Sequence, residues 1–252
     1  MTKIIADVGS NWFTFEDCLE SIEACPADAV KFQYFTSLKM YGKSDYFLKE
    51  LPKEWIPYLA AKCKALGKEF MCTVFHHSDV AMIDEYVSTH KISSAEITDL
   101  NLLKATAATD KPVLISTGCA GKQEITAAIA LFKKEHVTLL YCEAEYPSRY
   151  HNLSNISLMR NNYGVPIGYS DHSLDVYALP SEAAFGCRAT VIEKHFGLER
   201  ILHTRLTADH GHSLNELDFG KMCDLLRSGK YTREYPTHFR RVKRGNDWVR
   251  PR

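Results

Sequence analysis

Apolar residues along this chain gather into short, nearly continuous runs, separated by longer stretches with helical periodicity. The runs are Ile4–Val8, Ala29–Phe35, Phe70–Phe75, Lys91–Ile97, Val113–Thr117, Val137–Cys142, Val165–Tyr169 and Ala189–Glu193. Their length and lack of strict polar alternation predict parallel strands buried on both faces. Between them, Phe15–Ala24, Trp55–Leu66, Asp79–Val87, Leu100–Ala108, Ile125–Lys134, Leu153–Asn161, Leu174–Phe185 and Leu217–Arg227 read as helices. Phe15–Ala24, for one, sets Cys18, Leu19 and Ile22 on a single face. Eight strand–helix units in 252 residues predict an α/β fold, a (β/α)8 TIM barrel forming a single domain. An open doubly wound sheet competes with it, but no Gly-x-Gly-x-x-Gly turn is present to support that architecture. The barrel is expected to span residues 1–228, with 229–252 as a basic C-terminal tail.

The stretch Val165–Phe196 holds the densest candidate chemistry. Strand seven runs into GYSDHS and strand eight into VIEKHF, so His172 and His195 leave adjacent strands at their C-terminal ends. Barrel enzymes place their chemistry at that end. Two imidazoles there can share one divalent metal with open positions for substrate and water, or serve as ordinary rim histidines. Polar residues in or just after the other strands face the same mouth, among them Asp7, Lys31, Gln33, Thr73, Lys91, Ser94, Glu96, Ser116, Glu143, Tyr146, Ser170 and Glu193. A lysine inside an apolar strand is costly unless a charge pairs with it. Lys31 and Lys91 are two such lysines, and with Ser94, Ser116 and Ser170 they would form a cationic, hydroxyl-rich basin for phosphate and carboxylate. The alternative pairs each lysine with a carboxylate for structure alone. A strand lysine also suits Schiff-base aldol cleavage, but that chemistry leaves the two histidines without a role.

Composition narrows the setting. No apolar run nears the roughly 18 residues of a membrane span, and the N-terminus lacks a signal-peptide layout. The eight cysteines are scattered without a CxxC pair, and Cys18, Cys72, Cys142 and Cys187 lie in apolar surroundings. Reduced, buried thiols in a cytoplasmic protein are therefore expected. The zero net charge conceals an asymmetry: from Lys230 onward, eight Lys or Arg stand against Glu234 and Asp247, a net +6 that leaves −6 for the rest. Such a tail can bind nucleic acid. Terminal basic segments are more often solvated or packed, so neither a nucleic-acid nor a membrane partner is expected.

The motifs IADVGSNW, ADAVKFQ, KISSAEITDLNLL, PVLISTG, GYSDHS, VIEKHF and DHGHSLNELDF occur in that order over residues 3 to about 220. Together they resemble the sialic acid synthase family, the phosphoenolpyruvate-condensing sugar-acid synthases; the last of them is similar to the family's DH-x-x-S segment. The resemblance implies that phosphoenolpyruvate condenses with the aldehyde of an N-acyl amino sugar, with release of phosphate. It implies that Lys31, Lys91, Ser94, Ser116 and Ser170 hold the phosphate and carboxylate. A divalent ion, Mn2+ or Mg2+, would sit on His172 and His195. Gln33, Thr73, Phe75, Glu96, Tyr146 and Asp209 match positions near the sugar or a metal-bound water. The catalytic set implied is Asp7, Glu96, His172 and His195, with Glu96 handling a proton.

Departures from the family pattern concentrate on the acceptor side. Asp7 stands where the family usually has Glu, and Trp12 replaces the histidine of its GxNH motif. His76 and His77 follow Phe75 where an aspartate is common, and Ala144 lacks a polar side chain. The segment ERILHTRLTAD lacks a Pro-Gly-Pro before Asp209. Family members usually carry a C-terminal antifreeze-like domain that caps a neighbouring subunit and offers an arginine to the N-acyl group. This chain ends at Arg252, so the cap is expected from a homo-oligomer, a separate capping protein, or the tail's Arg240, Arg241, Lys243, Arg244 and Trp248. A non-catalytic relative that binds a phosphorylated ligand or partner protein is the second reading.

Overall fold

Strands hydrogen-bond in chain order, all parallel, and the eighth pairs with the first to close a barrel. They are β1 (Lys3–Gly9), β2 (Ala29–Tyr34), β3 (Glu69–Val74), β4 (His90–Ile92), β5 (Val113–Ser116), β6 (Val137–Cys142), β7 (Ile167–Asp171) and β8 (Val191–His195). The computed structural model describes residues 2–42, 50–231, 242–244 and 247–249. Helices follow the strands: α1 (Phe15–Ala24), α2 (Ser37–Tyr41), α3 (Ile56–Ala65), α4 (Val80–Asp84), α5 (Leu100–Ala107), α6 (Lys122–Ile129), α7 (Ser154–Tyr163), α8 (Ala178–Ser181), α9 (Glu199–Leu202) and α10 (Glu216–Ser228). Short polar residues start several of them. Thr14 and Asp17 form a capping box on α1, the Asp99 carboxylate accepts from two amides of α5, and Asn215 caps α10.

Outward-facing strand residues such as Ile4, Val30, Ile92, Ile115 and Ile167 pack under the helices in one large core. The barrel interior is layered differently. Ile5, Ala29, Met71, Leu114, Leu140 and Val191 form a separate apolar floor. Gly168 belongs at this level, where a Cβ would lie 2.6 Å from Leu140 and 2.8 Å from Val191, so β7 contributes backbone alone. Two residues further along the strands, the layer becomes polar: Asp7, Lys31, Thr73, Ser116, Ser170 and Glu193 are all buried. Lys91 joins them from β4.

Several elements differ from the periodicity. β4 stops at Ile92, and residues 93–97 turn away from the sheet. Ser94 Oγ there accepts from Gly118 N at 3.1 Å, a side-chain bond in place of a ladder bond. The expected helix Leu174–Phe185 begins only at Ala178 and runs into a π-helical turn, Glu182–Gly186. Asp175 bonds the amides of Tyr177 and Ala178, and Asp171 bonds that of Ser173, holding this stretch as turns. Helix α6 starts three residues before the expected Ile125 and stops at Ile129. In the tail, Val242–Arg244 and Asp247–Val249 pair as an antiparallel hairpin, β9 and β10. The tail side chains named as a candidate cap lie outside the described residues.

Trp12 packs as a structural residue. It is buried, donates from Nε1 to Gly9 O at 3.0 Å, and meets Trp55 edge-on at 5.5 Å. Beside it, the first strand is tied to the segment after the last. Asn11 Nδ2 donates to Phe196 O (3.0 Å) and Ser213 Oγ (2.7 Å), while Thr207 Oγ1 donates to Asn11 Oδ1 at 2.7 Å.

Candidate active site at the barrel mouth

The polar layer opens into a cavity of about 370 Å³ at the C-terminal ends of the strands. Asp7, Lys31, Gln33, Thr73, Phe75, Lys91, Ser94, Ser116, Tyr146, Ser170, His172 and His195 all line it, as do Ser93 and Glu193. The strand register explains the gathering. Asp7 lies beside both Lys31 and His195, Thr73 beside Lys91, and Ser170 beside Glu193.

The two strand lysines are charge-paired, so the expected cationic basin is balanced before any ligand enters. Lys31 Nζ donates to Asp7 Oδ2 at 2.6 Å and lies 4.0 Å from Glu193. Lys91 Nζ donates to Ser116 Oγ (2.7 Å) and Ile92 O (3.0 Å), and lies 3.8 Å from Glu193. Burial works against the charge on Lys31, but Asp7 and Glu193 outweigh it and raise its pKa. At Lys91 burial wins over the attraction of Glu193 and lowers the pKa. Glu193 is itself held low: burial alone would raise it, but both lysines and the hydroxyl of Ser170, donating at 3.0 Å, keep it ionised. Asp7 Oδ1 and Glu193 Oε2 are buried without a hydrogen-bond partner among the described residues, so this layer keeps unmet capacity.

His172 is oriented from behind. Its Nδ1 donates to Glu143 O at 2.8 Å, which fixes the tautomer and leaves Nε2 as the lone-pair nitrogen, 3.3 Å from Ser170 Oγ. Burial, with help from His195, pushes its pKa down to about 4, so the ring is neutral near pH 7 and fit to ligate. Burial likewise lowers His195, whose Nδ1 has no hydrogen-bond partner. Tyr146 stacks over His172 with ring centres 4.2 Å apart.

Glu96 and Asp209 lie apart from the cavity lining. Glu96 is in the turn beyond β4, where burial raises its carboxyl to about 7 and leaves Oε2 unpartnered. Asp209 sits beyond β8, with Oδ2 accepting from Ser10 N and Ser10 Oγ, both at 2.7 Å. Gly9 makes this approach feasible: its φ is +55°, and a Cβ would stand 2.4 Å from Asp209 Oδ2. Among the described residues, His195, Asp209 and His212 each present a ligand atom within 4.8 Å of the others. The buried, unpartnered nitrogens of His195 and His212 fit a cation-binding group. The sequence points to His195 and Asp209, and to Glu193 as a mouth residue, but not to His212 or Ser93. Glu193 was visible as a strand-end carboxylate without a role, and His212 lies in a loop that no strand period places.

Comparison with known proteins agrees with this geometry. A model described as the NeuB family matches residues 18–235. An uncharacterized protein of Methanocaldococcus jannaschii is 32% identical over 84% of this chain and 65% of its own length. The N,N'-diacetyllegionaminic acid synthase of Legionella pneumophila is 33% identical over 80% of this chain and 63% of its own. The chain thus spans just under two thirds of both relatives. The crystal structure of an N-acetylneuraminic acid synthetase from Leptospira borgpetersenii superposes with a TM-score of 0.83 at 29% identity, covering 94% of this chain and 88% of the other.

Proposed function

The chain belongs to the NeuB family, and we propose that its barrel condenses phosphoenolpyruvate with the aldehyde of an open-chain N-acyl amino sugar. In this reaction C3 of phosphoenolpyruvate bonds to the aldehyde carbon, water adds at C2, and phosphate leaves as C2 becomes the ketone of a 2-keto sugar acid. Of the water's two protons one ends on the sugar oxygen and one on the released phosphate, so the balance closes without a further reactant. The names of the Legionella and Leptospira relatives support a sialic-acid-like product.

The observation that carries this reading is the buried polar layer. Lys31 and Lys91, both buried, line one cavity with Ser94, Ser116 and Ser170, offering cations and hydroxyls to a phosphate and a carboxylate together. Asp7 and Glu193 keep the lysines' ammonium groups in place until the ligand's own negative charge shares them. Gln33 and Tyr146, nearer the opening, would orient the sugar, with Asp209 at the rim. A divalent ion held by His172 and His195, when bound, supplies Lewis acidity toward the sugar carbonyl. Glu96, with a carboxyl raised to about 7, can take up or release a proton near neutral pH. We place this activity in residues 1–228, in the cytoplasm, with the N-acyl end of the acceptor covered by the tail, a second subunit or a separate chain.

Phosphate release assayed with phosphoenolpyruvate, a panel of N-acyl hexosamines and a panel of divalent ions tests the reading. Release that needs both substrates supports it. Tight phosphoenolpyruvate binding without release on any acceptor would instead make the chain a non-catalytic binding relative.

A further inference from the structure

The stretch that resembles DH-x-x-S reads Asp209-His210-Gly211-His212-Ser213, so His212 occupies a position the motif leaves open. The structure turns that open position into the mouth. His212 is only 6% exposed, and its Nε2, without a hydrogen-bond partner among the described residues, lies 3.5 Å from Asp209 Oδ1. Its ring centre is 4.4 Å from that of His195 and 6.5 Å from that of His172, while His172 and His195 are 5.7 Å apart. Two imidazoles on one ion, with metal–nitrogen bonds of about 2.1 Å, have centres about 4.6 Å apart at right angles and about 6.5 Å apart when opposite. The His195–His212 spacing lies next to the right-angle value, and the ligand atoms of these two with that of Asp209 lie within 4.8 Å of one another. Asp209 is held toward the group by its two bonds from Ser10.

We propose that His212 is a protein ligand of the mouth's metal: its ligand atom lies within 4.8 Å of those of His195 and Asp209, and it joins them beside the His172 that the family resemblance implies. We infer further that this set selects a borderline, nitrogen-preferring divalent ion such as zinc, cobalt or ferrous iron over magnesium. The inference deepens the proposed function, since it concerns the ion of the same site. The expectation of manganese or magnesium comes from the family resemblance, with two imidazoles and open positions for substrate and water. A third imidazole replaces an oxygen ligand, and imidazole nitrogen suits zinc, iron and copper where carboxylate and water suit magnesium and manganese. His212 Nε2 faces the Asp209 carboxylate at 3.5 Å without a well-formed hydrogen bond, a spacing that leaves room for a cation between them.

The test is metal binding by the whole chain, stripped with chelator and titrated with Zn2+, Co2+, Mn2+ and Mg2+ by calorimetry and by visible absorption of the cobalt form. The expected result is Zn2+ and Co2+ binding far tighter than Mg2+, with His212→Gln weakening Zn2+ by more than about 100-fold. That loss exceeds what removing an outer partner of a ligand costs. The cobalt spectrum should also shift in His212→Gln, with circular dichroism verifying the fold; His212→Asn serves if the first variant does not fold. An unchanged Zn2+ affinity and cobalt spectrum in the folded variant overturn the proposal, as does wild-type Mg2+ binding equal to Zn2+ binding. Failure of the condensation reading would appear separately, as no phosphate release with any ion.

Discussion

Ile5, Ala29, Met71, Leu114, Leu140 and Val191 at the floor of the barrel stand one pleat below Asp7, Lys31, Thr73, Ser116, Cys142 and Glu193 on the same six strands. Backbone, burial and neighbours are nearly shared, yet the two layers meet opposite demands. The floor removes apolar area from water and fills space, so its contribution depends on volume and fit. The upper layer is stabilised only while each charge keeps its partner, and it retains unpaired acceptors for something still to bind. Two residues of strand thus separate the part that holds the barrel closed from the part that gives it a use.

Lys31→Met tests that separation most severely. It removes a charge-assisted contact to the ligand and leaves Asp7 buried without its cation. We expect a stability loss of about 3–5 kcal/mol, with phosphoenolpyruvate binding weakened by roughly 1.5–3 kcal/mol in calorimetry. Unchanged binding in both Lys31→Met and Lys91→Met would reduce the lysines to structural partners. Leu140→Ala at the floor should cost about 2–5 kcal/mol in urea denaturation and leave phosphoenolpyruvate affinity untouched in whatever fraction folds. If affinity falls in step with stability, the layers are not independent.

Glu96→Gln sharpens the comparison through pH. A carboxyl raised from 4.5 to about 7 binds its proton more tightly in the folded chain. Its stabilising share is therefore present below pH 4.5 and is lost as pH rises through about 7. Glu96→Gln should match wild type at pH 4.5 and exceed its stability above pH 7 by roughly 1–3 kcal/mol, while condensation slows. Equal stabilities at pH 8.5 would count against a buried acid at this position. Gly168→Ala presses a methyl against the Leu140 side chain, Val191 Cβ and the Val191 carbonyl, at a cost of about 1–3 kcal/mol or somewhat more, and should leave the site chemistry in place. Thermal denaturation and phosphate release on the same sample would check it.

The barrel was legible because apolar runs such as Val30–Phe35 and Val137–Cys142 need no partner to be recognised as buried strands. Most cavity-lining residues follow from strand ends, Lys31, Thr73, Ser170 and His195 among them; Phe75 enters only with the family resemblance, and Ser93 not at all. Glu193 was harder. Ile192, Glu193 and Lys194 differ only in pleat direction, and the register beside Ser170 turns Glu193 inward while Lys194 bonds Asp171 at 2.5 Å in a separate buried pair. His212 follows His195 by α9, a loop and a 3-10 turn, Asp209 leading into His210–His212, so only the folded chain brings it back. The turn at 172–177 escaped the helical pattern because Asp171 and Asp175 bind local amides more readily than a helix can use them.

The ties of Ser10 and Asn11 to Phe196, Thr207, Asp209 and Ser213 join positions 185 to 202 residues apart. Contacts so distant along the chain are slow to form, because the intervening loop must close before they reward it. During synthesis the first strand must wait, its acceptor-side residues unformed, until the chain beyond Ser213 has emerged. The mouth therefore matures late, and a nascent chain halted before Ser213 would lack partners that hold Ser10 and Asn11 in place.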